Sequence, residues 1–93
     1  MTASDVINEW FAGDRAVDKT GKVYTRGETL MAYGHPAARI ESRGTVIING
    51  DWLGFSGQWV KKLVRRHLPK GCCVIVESFK EIDAIRKQKE ENP

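Results

Sequence analysis

The chain has few of the residues that disulfide frameworks and membrane anchors require. Its only two cysteines, Cys72 and Cys73, are adjacent and cannot close the long loop that a stabilising disulfide needs. We expect them to be reduced thiols that pack as small hydrophobic residues in a strand. No apolar run approaches the ~20 residues of a membrane span, and the N-terminus carries Asp5 and Glu9, unlike a signal peptide. These absences predict a cytoplasmic protein without a membrane partner.

Nucleotide-binding and hydrolase motifs are also missing. The scattered glycines form neither a P-loop nor a dinucleotide-binding fingerprint. The segment around Ser56 lies between a predicted strand and a predicted helix, where a serine hydrolase places its nucleophile elbow. That elbow requires glycine two residues after the serine, and this chain has Gln58 there. We therefore interpret Ser56 as the N-cap of a helix.

The remaining reactive side chains are poorly spaced for chemistry. His35, His67 and the two adjacent cysteines show neither the Cys-x-x-Cys nor the His-x-x-x-His spacing of a metal site. The carboxylates in the middle of the chain are dispersed among predicted turns and strand ends, so no pair can be assigned to one cleft. We expect a protein with no metal, no cofactor and no catalytic residue, and therefore not an enzyme.

Positive charge is present instead, and it is concentrated in the middle of the chain. The net charge is +3, but residues 15–70 carry eleven lysines and arginines against four acids, whereas both ends are net acidic. Such a concentration attracts either a polyanion or an acidic protein surface, and composition does not choose between them.

The hydrophobic pattern predicts a single α+β domain over residues 1–93. An apolar stripe that includes Val6, Ile7 and Trp10 indicates a helix at residues 2–12. Strand patterns and turn signals then alternate along the chain, with strands expected at 28–33, 37–41, 45–48, 51–55 and 72–76. Asn49-Gly50 is the strongest hairpin signal, because both residues tolerate positive φ. We expect an antiparallel β-meander of three to five strands covered by two or three helices.

A basic helix is predicted from Gly57 to Leu68. Its apolar residues are expected to face the sheet: Trp59, Val60, Leu63, Val64 and Leu68. Its bases are expected to face solvent, and with three others they are the candidate partner-binding or nucleic-acid-binding residues: Lys61, Lys62, Arg65, Arg66, Lys70, Arg39 and Arg43. An ordinary solvated helix face is the alternative, although this helix lacks the acids that usually form i, i+4 pairs.

The C-terminal third is predicted to complete the core. Residues 72–76 are apolar and β-branched, which favours a strand buried on both faces. The sequence Ser78-Phe79-Lys80-Glu81 is typical of a capping box that opens a last helix, and the chain is expected to fray from about residue 87. The isomer of the bond before Pro36 stays open, with trans favoured.

The segment Tyr33-Gly34-His35-Pro36-Ala37-Ala38, followed by a hairpin and an aromatic-Ser-helix segment, resembles a small domain of phage and mobile-element proteins. The resemblance covers residues 28–77. Small single-domain proteins of this kind include the anti-CRISPR inhibitors. The resemblance implies a non-enzymatic inhibitor in the host cell cytoplasm that binds a CRISPR-Cas surveillance complex through its basic face. That face would contact either nucleic acid (guide RNA or DNA) or acidic parts of the complex, and would block target DNA binding. A small nucleic-acid-binding module or phage regulator is the alternative.

Overall fold

A computed structural model describes residues 1–42 and 44–79. These residues form a five-stranded sheet and two helices, joined by turns and loops. The elements are α1 (Ala3–Phe11), β1 (Val23–Arg26), β2 (Thr29–Ala32), β3 (His35–Ser42), β4 (Thr45–Asn49), α2 (Gly54–Arg66) and β5 (Cys73–Glu77). The strands lie in the order β1-β2-β3-β4-β5. The first four pair antiparallel, and β5 pairs parallel to β4 after the crossover through α2. The predicted α+β meander covered by helices is confirmed.

Helix α1 begins at a capping box formed by Thr2 and Asp5. The Thr2 hydroxyl accepts a hydrogen bond from the Asp5 backbone N–H at 3.2 Å, and the Asp5 carboxylate accepts one from the Thr2 N–H at 2.8 Å. These bonds lower the pKa of Asp5. The buried stripe is Val6, Ile7 and Trp10, and the Trp10 indole donates to the Glu28 carbonyl at 2.8 Å. This bond anchors α1 to the start of β2.

Both helices cover the same face of the sheet. They contact each other, α1 packs against β1, and α2 packs against β2 and β3. The residues between helices and sheet form one core, with each side chain almost fully buried: Val6, Ile7, Trp10, Val23, Leu30, Ala38, Val46, Ile48, Val60 and Val64. Neither described helix has the length and apolar character that crossing a membrane requires.

The predicted break at Gly34-His35-Pro36 starts one residue earlier, at Tyr33, ends at Gly34, and does not interrupt the sheet. Tyr33 and Gly34 both have positive φ, 53° and 82°, and form the tight turn between β2 and β3. The strand resumes at His35 and includes Pro36, close to a shift in register between β2 and β3. The described peptide bonds are all trans, including the one before Pro36.

The predicted hairpin at Asn49-Gly50, with residues 51–55 as a returning strand, is wrong. The Asn49 side chain is buried and holds the chain in another direction: its Nδ2 donates to the Pro36 carbonyl at 2.7 Å, and its Oδ1 accepts from the Asp51 N–H at 2.9 Å. The Gly50 N–H donates to the Glu77 carbonyl at 2.8 Å. Strand β5 therefore occupies the place beside β4 that a returning strand would need.

Helix α2 begins three residues earlier than predicted. Its N-cap is Leu53, which makes no side-chain capping bond, and Ser56 lies exposed in the first turn. The interpretation of Ser56 as the N-cap is therefore wrong. Gly54 starts the helix at a φ of +77°, a backbone conformation that glycine adopts without strain. Leu53 lies close against the first turn, because Gly57 has no Cβ; an added Cβ there would come within 2.4 Å of the Leu53 Cβ.

The predicted burial of β5 on both faces is also wrong. β5 is the last strand of the described sheet, and Cys73, Ile75, Val76 and Glu77 are exposed while Val74 is half-buried. The reason is that α2 lies over β2 and β3 and leaves β5 largely uncovered. Both cysteines are free, and Cys73 is exposed, contrary to the expected packing of both thiols in the core. The rest of the predicted capping box and last helix, and the predicted frayed end, lie outside the described residues.

Candidate functional site

An aromatic and basic stripe runs along α2 on the side opposite the core. Phe55, Trp59, Lys62 and Arg66 follow the i, i+4, i+7, i+11 spacing that places residues on one helix face. Phe55 is 86% exposed and Trp59 is 51% exposed. Trp52, in the connection before the helix, is 66% exposed and meets the Phe55 ring edge-on at 5.4 Å. We call these five residues the aromatic–basic face.

The predicted orientation of Trp59 towards the sheet is wrong. Val60 and Val64, together with Gly57, form the face of α2 that is buried. At about 100° per residue, Trp59 lies roughly 140° from Val64 around the helix, which is too far for one buried stripe. The spacing from Phe55 to Arg66 is visible in the sequence. It predicts the aromatic–basic face once Trp59 is placed on the exposed side of α2 and not in the core.

Lys61 is buried, contrary to the prediction that it faces solvent. It is 7% exposed, and its Nζ donates to the Asn49 carbonyl at 2.7 Å and to the Asp51 carbonyl at 2.9 Å. Burial lowers the pKa of Lys61, the Asp51 carboxylate opposes that effect, and Arg65 adds to it. The two carbonyls follow the end of β4 and need a donor because the chain leaves the sheet there. Lys61 is therefore a structural residue of the β4–α2 connection.

The same connection is joined to the end of β5 by polar side chains. The Ser78 hydroxyl donates to the Asp51 carboxylate at 2.7 Å, and the Phe79 N–H donates to the Asn49 Oδ1 at 3.5 Å. Asn49 is thereby bonded to three parts of the chain at a position that is 2% exposed. Sequence reasoning missed this role, although a lone amide at the end of an apolar strand is a signal for it.

The other predicted contact residues are only partly brought together. Lys62, Arg65 and Arg66 are exposed on α2, and Lys70 is exposed in the turn that follows the helix. Arg39 is elsewhere: it pairs in register with Ile47, between residues of β3 that face the helices, so it lies on the opposite face of the sheet. There it forms an ion pair with Glu41 and lies 5.8 Å from the Phe79 ring. Arg43 lies outside the described residues.

No family model, curated protein or solved structure matches this chain. Within residues 1–42 and 44–79, no three His, Cys, Asp or Glu side chains come together in a way that could hold a metal ion. The described surface presents the exposed rings of Trp52, Phe55 and Trp59 beside exposed lysine and arginine side chains. Aromatic rings stack and bury apolar area, and cations pair with anions; neither requires a covalent step.

Proposed function

We propose that the protein acts by stoichiometric binding to a nucleoprotein complex through the aromatic–basic face, without catalysis. The observation that carries this proposal is the exposure of Trp52, Phe55 and Trp59 beside Lys62 and Arg66. Large aromatic side chains are costly to leave in water, and contiguous exposed apolar residues mark interaction sites. Tryptophan and arginine are also among the residues that contribute most to binding energy at interfaces.

A partner that combines protein with nucleic acid fits both halves of the face. Exposed aromatic rings can stack on unpaired bases, and neighbouring lysine and arginine side chains can bind phosphates. The same rings can also fill apolar pockets of a protein subunit. Within this proposal, the resemblance to anti-CRISPR inhibitors suggests a CRISPR-Cas surveillance complex in the host cytoplasm. Occupation of the target DNA path would then be the mode of inhibition.

A small module that binds free nucleic acid is the second candidate. The i, i+4, i+7, i+11 spacing favours it, because two rings and two cations along one helix match a base-stacking and phosphate-binding strip. This candidate predicts binding to free single strands that weakens steeply with salt, since phosphate contacts release condensed counterions. Binding to an assembled complex, with little affinity for free strands, supports the inhibitor instead.

The decisive experiment compares Trp59→Ala with Tyr33→Ala. Tyr33 is also an exposed aromatic residue, but it lies in the β2–β3 turn and not on α2. Each variant is tested for binding to purified surveillance complexes and to labelled single-stranded RNA and DNA at low and high salt. We expect Trp59→Ala to weaken binding by ~30-fold or more, as at an interface hot spot. Equal binding by wild type and Trp59→Ala would refute the proposed face, whichever partner is bound.

A further inference from the structure

Strand β5 is an edge strand of the sheet that residues 1–42 and 44–79 form. It pairs with β4 in an unbroken five-residue register, and no further strand lies beyond it in the described sheet. The Cys73 N–H donates to the Gly44 carbonyl, and the Glu77 carbonyl accepts from Gly50, so the backbone groups of Cys73 and Glu77 point towards β4. Because direction alternates along a strand, the N–H and C=O groups of Val74 and Val76 point away from the sheet.

Natural sheets usually protect such an edge, and the sequence and register of β5 itself contain none of the usual devices. Lysine, proline, bulges and inward-pointing charges all discourage another strand from pairing. β5 has the sequence Cys-Val-Ile-Val-Glu, its register contains no bulge, and its one charged residue, Glu77, stands at the end. Val76 is 52% exposed and Ile75 is 42% exposed. The edge can therefore accept an added strand.

A basic groove lies beside this edge on the helix side of the sheet. It has a volume of about 300 Å³, with Ile48 and Val76 among its sheet residues and Gln58, Lys62 and Arg65 on the flank of α2. The residues that line it include three bases and no acid. Glu77, the acid of β5, alternates with Val76 and so points to the other face of the sheet. The Gln58 Oε1 is buried and accepts no hydrogen bond from the described residues.

We propose that β5 and the flank of α2 bind an extended acidic segment of a partner protein by strand addition. The outward N–H and C=O groups of Val74 and Val76 supply the main-chain hydrogen bonds, and alternate side chains of the added strand lie in the groove. Acidic side chains there meet Lys62 and Arg65, and a partner amide can donate to Gln58. A second copy of this chain is a poorer occupant, because pairing β5 with itself would bring two basic flanks together. This site shares Lys62 with the aromatic–basic face but uses none of the aromatic rings of the proposed function, so it does not depend on them.

The first test uses a fluorescein-labelled peptide of about eight residues that alternates glutamate and valine, the length of an ordinary strand. Fluorescence anisotropy measures its binding to the wild type, to Val76→Pro and to Val76→Thr. Proline removes the outward N–H of residue 76 without removing a bond to β4, whereas threonine keeps that N–H. We expect Val76→Pro to weaken binding about tenfold, the effect of one lost hydrogen bond, and Val76→Thr to bind like the wild type.

A second test does not depend on how Val76→Pro folds. Two versions of the peptide are N-methylated on alternate amides, one set on each edge of the extended strand. Strand addition predicts that one version loses binding and the other keeps it, because only one edge of the peptide pairs with β5. A peptide with glutamine in place of glutamate should bind more weakly to the wild type, and the difference should shrink in Arg65→Gln.

Several results would overturn the proposal. They are absence of peptide binding to the wild type, equal binding of both methylated versions, and equal binding of the glutamate and glutamine peptides. A wild-type dimer in sedimentation analysis that Val76→Pro converts to monomer would identify a second copy as the occupant instead. Trp59→Ala is expected to keep the peptide and lose the nucleoprotein partner, so failure of this site and failure of the proposed function are distinguishable.

Discussion

Replacing Lys61 by methionine tests the position of this residue most directly. Methionine keeps most of the aliphatic volume but removes the ammonium group that donates to the carbonyls of Asn49 and Asp51 at 2.7 and 2.9 Å. A buried carbonyl left without a donor costs ~1–3 kcal/mol. Asn49 is buried, whereas Asp51 is half-buried and water can reach its neighbourhood. Loss of the charge also removes the cost of its burial, which offsets part of the effect.

We therefore expect Lys61→Met to lower the free energy of unfolding by about 2 kcal/mol, or the Tm by ~8–16 °C for a domain of this size. The matched control is Lys62→Met, the next residue of the same helix, which is exposed. Its free energy of unfolding should stay within ~0.5 kcal/mol of the wild type. Urea unfolding followed by circular dichroism measures both variants. A Lys61→Met variant as stable as Lys62→Met would refute the structural role of Lys61.

The pH dependence of stability checks the same residue independently. Burial lowers the pKa of Lys61 in the folded protein below its ordinary value of 10.5. Between the folded pKa and 10.5 the unfolded chain binds more protons, so stability rises with pH across that interval. The free energy of unfolding of the wild type relative to Lys61→Met should therefore increase as the pH approaches 10.5. A flat or falling difference between the two proteins would contradict the lowered pKa.

Three further predictions concern the packing of the domain. Gly57→Ala should destabilise the protein by ~1–3 kcal/mol in urea unfolding despite the higher helix propensity of alanine, because the added Cβ would lie 2.4 Å from the Leu53 Cβ. Asn49→Asp should cost at least about 2 kcal/mol, since a buried carboxylate oxygen would replace the amide that donates to the Pro36 carbonyl. Acrylamide should quench the emission of Trp52 and Trp59 but not that of Trp10, measured in single-tryptophan variants; equal quenching of all three would contradict the exposed face.

The local features that the sequence predicted well are those determined by neighbouring residues. The buried stripe of α1 needs only a helical period along one segment of the chain. The strands that became β2, β3 and β4 are consecutive antiparallel segments, which pair with their nearest neighbours in the chain. The α+β fold with a single sheet follows from these local patterns.

The features that the sequence did not predict depend on contacts between distant segments. Asn49-Gly50 has a strong preference for a hairpin turn, but β5, from a later part of the chain, pairs with β4 instead. Asn49 is in register with Glu77, and the Gly50 N–H donates to the Glu77 carbonyl. That competition cannot be read from the turn residues, because it depends on where the crossover through α2 returns. The same crossover makes β5 an edge strand and leaves its apolar residues exposed.

The candidate site shows the same division. By itself the sequence determined that α2 is amphipathic and basic, because charge and helical period are properties of the residues alone. Only the tertiary structure decided which residues the helix offers to a partner. It buried Lys61 against the carbonyls that end β4, exposed Trp59 opposite Val64, and placed Arg39 on the other face of the sheet. The physical reason is that the packing of the whole core sets the rotation of a helix on a sheet. Backbone carbonyls that need a hydrogen-bond donor then determine which polar side chain of the helix is buried beside them.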